Sequence, residues 1–403
     1  MRNLVICFIT CLMVYTLKAQ SWSIQATGTT ETLLSVFAPT RDICYTVGTE
    51  GTILKTDNGG VTWVAQSSGT TMDLHAVFFT DISIGYAAGE SGTIIKTING
   101  GTTWVPEPGG IPGRWLESIY FIDANTGFVA GRDNWSEEGY ILKTIDAGIN
   151  WTTIYNTSGF GLLSIYFPVS DTGYATGTDG AVIKSVDGGL TWNEFSSGLG
   201  WQDLRSAFFS DGNTGYMVGD AGTVLKTING GNSFQSLAGG TTNHLFNVYF
   251  TGSDSGYIVG QDGIILKTIN GGTSWNEIPS VTQNHLYSVY FADDSTGYAV
   301  GAQGTILKTA YGGTVFIDEL KDQSLSATIY PNPATTAITI STGYSIKGET
   351  SVSIFNMRDQ QLILHKYYNR HAFEFDISTL STGIYLVKIQ TKNGIENKKL
   401  VIR

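Results

Sequence analysis

The stretch from Gly113 to Gly139 gathers the side chains best equipped for chemistry: Arg114, Trp115 and Glu117, then Arg132, Asp133, Trp135, Glu137 and Glu138. Two carboxyls at a fixed separation could cleave a glycosidic bond, one as acid and the other as base or nucleophile. Indole rings could instead stack on a sugar or a peptide side chain. Similar types recur singly elsewhere. Seven short apolar runs each carry a leucine followed by an unlike residue: Leu34, His75, Glu117, Leu163, Arg205, Phe246 and Tyr287. Trp115, Trp201, His244 and His285 stand just upstream of such leucines. A position that varies inside a strict repeat is free of fold constraints. The candidate binding surface is therefore Arg114, Trp115, Glu117, Arg132 and Trp135, with His75, Trp201, Arg205, Phe246 and Tyr287.

The elements that must position these residues are repeats. Close copies of Gly51–Trp63, GTILKTDNGGVTW, centre on Lys55, Lys96, Lys143, Lys184, Lys226, Lys267 and Lys308, at intervals of 41, 47, 41, 42, 41 and 41 residues. Each unit holds four β signals: the apolar run, a GYxxG segment, the ILKT strand, and a strand that opens at the Trp of GGxTW. Four short strands per unit, apolar on both faces, describe a blade packed between neighbours, and seven units make a seven-bladed β-propeller. The ring must close without a bare edge. Trp22–Gln25 resembles the fourth strand of other units and is expected to pair with Thr305–Thr309; the rival for that place is Thr314–Ile317. The 47-residue interval comes from blade 3, where a GxxG turn gives way to a longer segment from Gly131 to Gly139. The repeat lysines read as structural, their stems on the sheet and their ammonium groups near carboxylates.

Charge and cysteine usage narrow the function classes. Between residues 20 and 320, eleven basic residues face twenty-eight acidic ones, and seven of the eleven are the repeat lysines. Nucleic acid is excluded as a partner on that balance. The N-terminal MRNLVICFITCLMVYTLKAQ reads as a signal peptide over 1–19, too short to span a bilayer, so membrane contact is indirect. Its removal leaves Cys44 as the one cysteine, too few for a disulfide or a thiolate cage. No metal and no cofactor are expected. After a polar linker at 318–327, residues 328–403 show alternating apolar strands broken by Pro, Asn and Gly, the pattern of a small antiparallel β-sandwich. The fold class is all-β.

Two resemblances add to this reading. Ser185-Val186-Asp187-Gly188-Gly189-Leu190-Thr191-Trp192 resembles the Asp-box of BNR-repeat propellers, where the Asx side chain caps its own turn. Together with GYxxG, GxILKT and the 41-residue period, residues 20–317 are similar to photosystem II assembly and stability factor-like propellers. That resemblance implies a non-catalytic scaffold that binds proteins. Asp-box propellers also include glycosidases, so a surface glycoside hydrolase is the alternative; an arginine triad of the sialidase kind is hard to supply from Arg41, Arg114, Arg132 and Arg205 alone. Tyr330-Pro331-Asn332-Pro333-Ala334, then FDISTLSTGIYLVKI and a basic last strand, resemble the type A sorting domain of the type IX secretion system. The resemblance implies contact of 328–403 with that machinery and export to the outer surface or medium of a Gram-negative, Bacteroidetes-type bacterium. The propeller's own partner is then an unnamed protein or glycan.

Overall fold

Seven four-stranded antiparallel sheets follow one another along the computed structural model, which describes residues 22–133, 138–310, 327–341, 349–356, 360–368, 370, 372–391 and 394–403. The signal segment 1–19 lies outside the described residues, as does the linker up to residue 326. Six of the sheets take their strands in chain order, and the seventh draws its fourth strand from the N-terminal segment. Blade 1 runs Leu33–Phe37, Cys44–Gly48, Ile53–Thr56 and Val64–Gln66. Second strands such as Gly85–Gly89 and Gly297–Gly301 are buried at every residue, because both faces of a blade's middle lie against other blades. The glycine that ends them is required by close approach: a Cβ at Gly89 would stand 1.9 Å from the Asp73 carbonyl oxygen.

The ring closes on the N-terminal segment. Ser23–Ile24 pairs antiparallel with Thr305–Thr309, Ser23 opposite Lys308 and Ile24 opposite Leu307, and Gln25 N–H donates to Ile306 O at 2.8 Å. Trp22, 1% exposed, takes the place that the Asp-box tryptophan holds in other blades, edge-on to Phe291 at 5.9 Å.

Three devices fasten blade to blade. A second-strand ring stacks on a first-strand ring of the next blade, as Tyr45 does on Phe79 at 4.0 Å, Phe128 on Phe167 at 4.2 Å and Tyr174 on Phe209 at 3.7 Å; Trp104 closes the edge of the first stack and Trp192 that of the second, while blade 5 carries Phe234 at that position. The repeat lysines form the second device, and here the structure corrects the sequence reading. Lys55 does meet a carboxylate, Asp57 at 2.8 Å. Lys96, Lys143, Lys184 and Lys226 instead cross the seam and donate to main-chain carbonyls of the next blade's turn at 2.6–2.8 Å, and Lys308 does the same to Gly59. Each ammonium also lies 5.2–5.9 Å from an aromatic ring on its own blade's second strand. In each of these seams a turn carbonyl accepts from an ammonium, a charge-assisted bond.

The third device lines the central channel. Ser35, Ser118, Ser164, Ser206 and Ser288 each accept the N–H of a first-strand residue in the following blade, at 3.2–3.4 Å, and Asn247 does so from Val289 at 2.9 Å. Ser288 bonds Val36 and so joins blade 7 to blade 1. Blade 2 carries Ala76 at this position and has no oxygen to offer Ile119. Beside these latches, Phe37, Phe78, Tyr120, Tyr166, Phe208, Tyr249 and Tyr290 form a closed circle with neighbouring ring centres 4.6–5.3 Å apart.

The chain divides into two compact units, and the second is described by itself. It holds a three-stranded sheet (Thr328–Tyr330, Ala337–Ser341, Ala372–Asp376) and a four-stranded one in the order Gln361–Tyr368, Glu349–Asn356, Gly383–Thr391, Gly394–Ile402. Ile338, Ile340, Val352, Ile354, Phe373, Phe375, Val387, Ile389 and Leu400 form its core. Alternation with period two delivers that core. The YPNPA segment is pinned to the last strand: Asn332 donates to Lys399 O at 2.8 Å and accepts from Val401 N–H at 2.9 Å.

Candidate functional site

All seven first strands break register directly after their leucine, in blade 2 between Leu74 and Ala76 and likewise in the others. The residue skipped there is the extra member of a β-bulge. It has no partner across the ladder, which is why its type is free to vary. Leu34, His75, Glu117, Leu163, Arg205, Phe246 and Tyr287 are all half-buried.

On blades 2 and 3 the candidates come together. Arg132 Nε donates to Glu117 Oε1 at 2.7 Å, and its guanidinium carbon lies 4.7 Å from the centre of the Trp115 ring. His75 Nδ1 stands 3.1 Å from Glu117 Oε2, an ion pair rather than an aligned hydrogen bond, and its ring meets Trp115 edge-on at 5.6 Å. Arg114 bridges Asp133 and Glu138, the latter at 2.9 Å. The Tyr140 hydroxyl donates to Trp115 O at 2.8 Å, holding that strand end in place. Burial alone would raise the Glu117 carboxyl, but His75 and Arg132 outweigh it and hold it below its usual value. Burial alone would lower His75; Glu117, Glu90 and Asp73 outweigh it, and the imidazolium is favoured. Blade 3's longer segment extends a hairpin: pairing continues to Arg132 opposite Gly139, and Asp133 N–H donates to Glu138 O at 2.8 Å. Trp135 and Glu137 lie outside the described residues.

A second group forms on blades 5 to 7. Arg205 Nε donates to Asp220 at 2.6 Å, with Asp203 3.5 Å from its other end, and its guanidinium lies 5.6 Å from the Phe246 ring. Phe246 stacks on Tyr287 at 5.1 Å, and His285 sits edge-on to both at 6.2 Å. His244 Nδ1 reaches the same Asp220 oxygen at 2.9 Å, and Asp262 N–H lies 3.0 Å from His285 Nδ1. Asp220 is held low: burial would raise it, and Arg205 and His244 prevail. Asp203 goes the other way, raised by burial against the pull of Arg205. Trp201 is 83% exposed and stands apart from these contacts.

Sequence reasoning missed the carboxylates that complete both groups. Glu90, Asp220 and Asp262 lie in the turns after the second strand, and Asp73 and Asp203 directly precede first-strand leucines. These positions also vary from blade to blade, so the argument that found the bulge residues could have found them. Asp73, His75 and Glu90 are the one set among the described residues whose donor atoms all lie within 4.8 Å of one another. Two cavities are prominent, the channel of about 400 Å³ and a trough of about 750 Å³ lined by Thr27–Thr29, Glu50–Leu54 and Ala65–Thr71. None of the nine described candidates lines either one.

Comparison with known proteins agrees with this architecture. The family described as photosynthesis system II assembly factor YCF48 matches residues 14–155 and 201–283, more than half of the chain, and the secretion system C-terminal sorting domain matches 328–403. No curated protein matches. Among solved structures, YCF48 bound to D1 peptide is 19% identical at a TM-score of 0.61, covering 72% of this chain and 97% of its own. YCF48 from Cyanidioschyzon merolae is 18% identical at 0.59, with 72% and 98% covered. A GH74 xyloglucanase from Xanthomonas campestris is 13% identical at 0.59, with 79% and 59% covered. At such identities the likeness is one of fold. The chain belongs to the YCF48 assembly-factor family, and it carries a secretion-system sorting domain behind its propeller.

Proposed function

We propose that the propeller is a non-catalytic recognition scaffold, carried to the cell surface or the medium by its sorting domain, which binds a protein or glycan partner across the variable rim of the ring. The observation that carries this reading is the bulge in all seven first strands, which frees one rim position per blade from the fold and places aromatic, acidic and basic side chains there. A YCF48 structure holding D1 peptide gives a protein segment as a precedent on this fold. The carboxylates Glu117, Asp133 and Glu138, which hydrolysis would require, are each taken up by an arginine. Capture from outer-membrane extracts tests the reading. Trp115→Ala combined with Trp201→Ala should cut partner recovery severalfold, and undiminished recovery would reject this rim.

One observation favours glycoside hydrolysis as a second reading. Asp203 and Asp220 flank Arg205 with their proton affinities pushed apart, the division that acid and base roles need. Release of reducing sugar from surface polysaccharides that Asp203→Asn abolishes would establish it.

A further inference from the structure

The acidic balance of the propeller is sharper at its surface than its totals suggest, because the described structure leaves none of its cations free. The four arginines are ion-paired: Arg41 with Asp293, Arg114 with Asp133 and Glu138, Arg132 with Glu117, Arg205 with Asp220 and Asp203. Lys55 meets Asp57, five more lysines are spent on turn carbonyls across the seams, and Lys267 is buried and engaged. A partner presenting anions therefore finds no Arg or Lys among the described propeller residues that is not already engaged.

The rim also displays, twice, what it can hold. On blade 3 a guanidinium lies over Trp115 with a carboxylate at its edge; on blades 5 and 6 a guanidinium lies over Phe246 with two carboxylates at its ends. In both cases the protein's own arginine fills the seat. Phe246 continues into a stack with Tyr287 and an edge contact with His285, and Asp262 sits beside His285 with its carboxylate 57% exposed. That combination of ring faces and an open carboxylate is the environment in which a cation is held by quadrupole and charge together.

We propose that the partner of this rim is a cationic protein segment, one lysine or arginine of which seats against the Phe246–Tyr287 stack with Asp262 as its counter-charge. This rests on the scaffold reading above and names the chemistry of its partner. Charge complementarity steers the encounter, and the aromatic corner fixes where it ends.

The test uses the secreted full-length protein and two unstructured probe peptides of equal length, one of alternating arginine and serine and one of alternating glutamate and serine, followed by calorimetry. The arginine peptide should bind, and its affinity should fall about tenfold or more between about 50 and 300 mM salt, while the glutamate peptide gives no heat. Asp262→Asn with Phe246→Leu should weaken binding about tenfold, with the melting temperature of each variant checked first. Asp57→Asn with Asp294→Asn, which removes charge from loops of the opposite face, should leave binding unchanged. Binding of both peptides alike, or equal losses from the two double variants, would overturn the proposal. Capture of a surface partner by a protein that ignores the arginine peptide would also overturn it while leaving the scaffold reading standing.

Discussion

At the scale of single residues, the ring's regularity exposes its exceptions. Six of seven blades reach the next through a serine or asparagine, and blade 2 presents Ala76 instead. Ala76→Ser should supply the missing acceptor for Ile119 N–H and stabilise the protein by about 1 kcal/mol, read as a higher urea midpoint at unchanged slope. The same seam is held nearer the rim by His75 and Glu117. His75 has its folded pKa raised above 6.5, so its contribution is complete below that value and is lost as pH rises through the folded pKa. Glu117 is lowered from 4.5, so its contribution is present above that value and is lost as pH falls through its folded pKa. The pair therefore supports the seam best between the two, and His75→Gln should flatten the decline in melting temperature above about pH 6.5. The bulge positions were legible in the sequence as variation, because a repeat shows its own unconstrained sites. The lysine partners were not. Periodicity along a chain reveals what a side chain's own blade looks like, whereas Lys184 finds its acceptor, Gly230, in the next one.

At the scale of elements, the blades could be read because their turn chemistry is written out in each copy. Asp187 accepts from Leu190 N–H, Thr191 N–H and the Thr191 hydroxyl, which drive its carboxyl down to about 2, and Asn58, Asn99, Asn229 and Asn270 serve the same local purpose. The closing strand was legible for a related reason, since Trp22 and its followers repeat the exit of an ordinary blade. Trp22→Ala should cost about 3–5 kcal/mol, because it empties a fully enclosed site and loosens the strand that completes blade 7. Trp201→Ala, at an exposed site, should change stability by less than about 0.5 kcal/mol. Thermal melts of the two variants side by side check both statements. The extended hairpin of blade 3 was harder to foresee. Polar and charged residues such as Arg132 and Asp133 read as loop, yet ladder bonds to Gly139 and Arg114 keep them in strand.

At the scale of the whole molecule, two units answer for two tasks. The sorting unit has its own core and its own pinned first motif, and the propeller closes on itself without it. Removing residues 328–403 should therefore leave the propeller's melting temperature within about 2 °C of the full chain's and stop its appearance outside the cell, as circular dichroism and protease accessibility on intact cells would show. The closing strand bears on the order of events during folding. Ser23 and Lys308 are 285 residues apart in sequence, so the ring cannot close until the third strand of blade 7 is present to receive the N-terminal one. Until Thr309 has followed, blade 7 has an unpaired edge and the blades form an open crescent that a holding chaperone can grip. Ring closure thus acts as a clock: it strikes only when the strands of all seven blades are in one place.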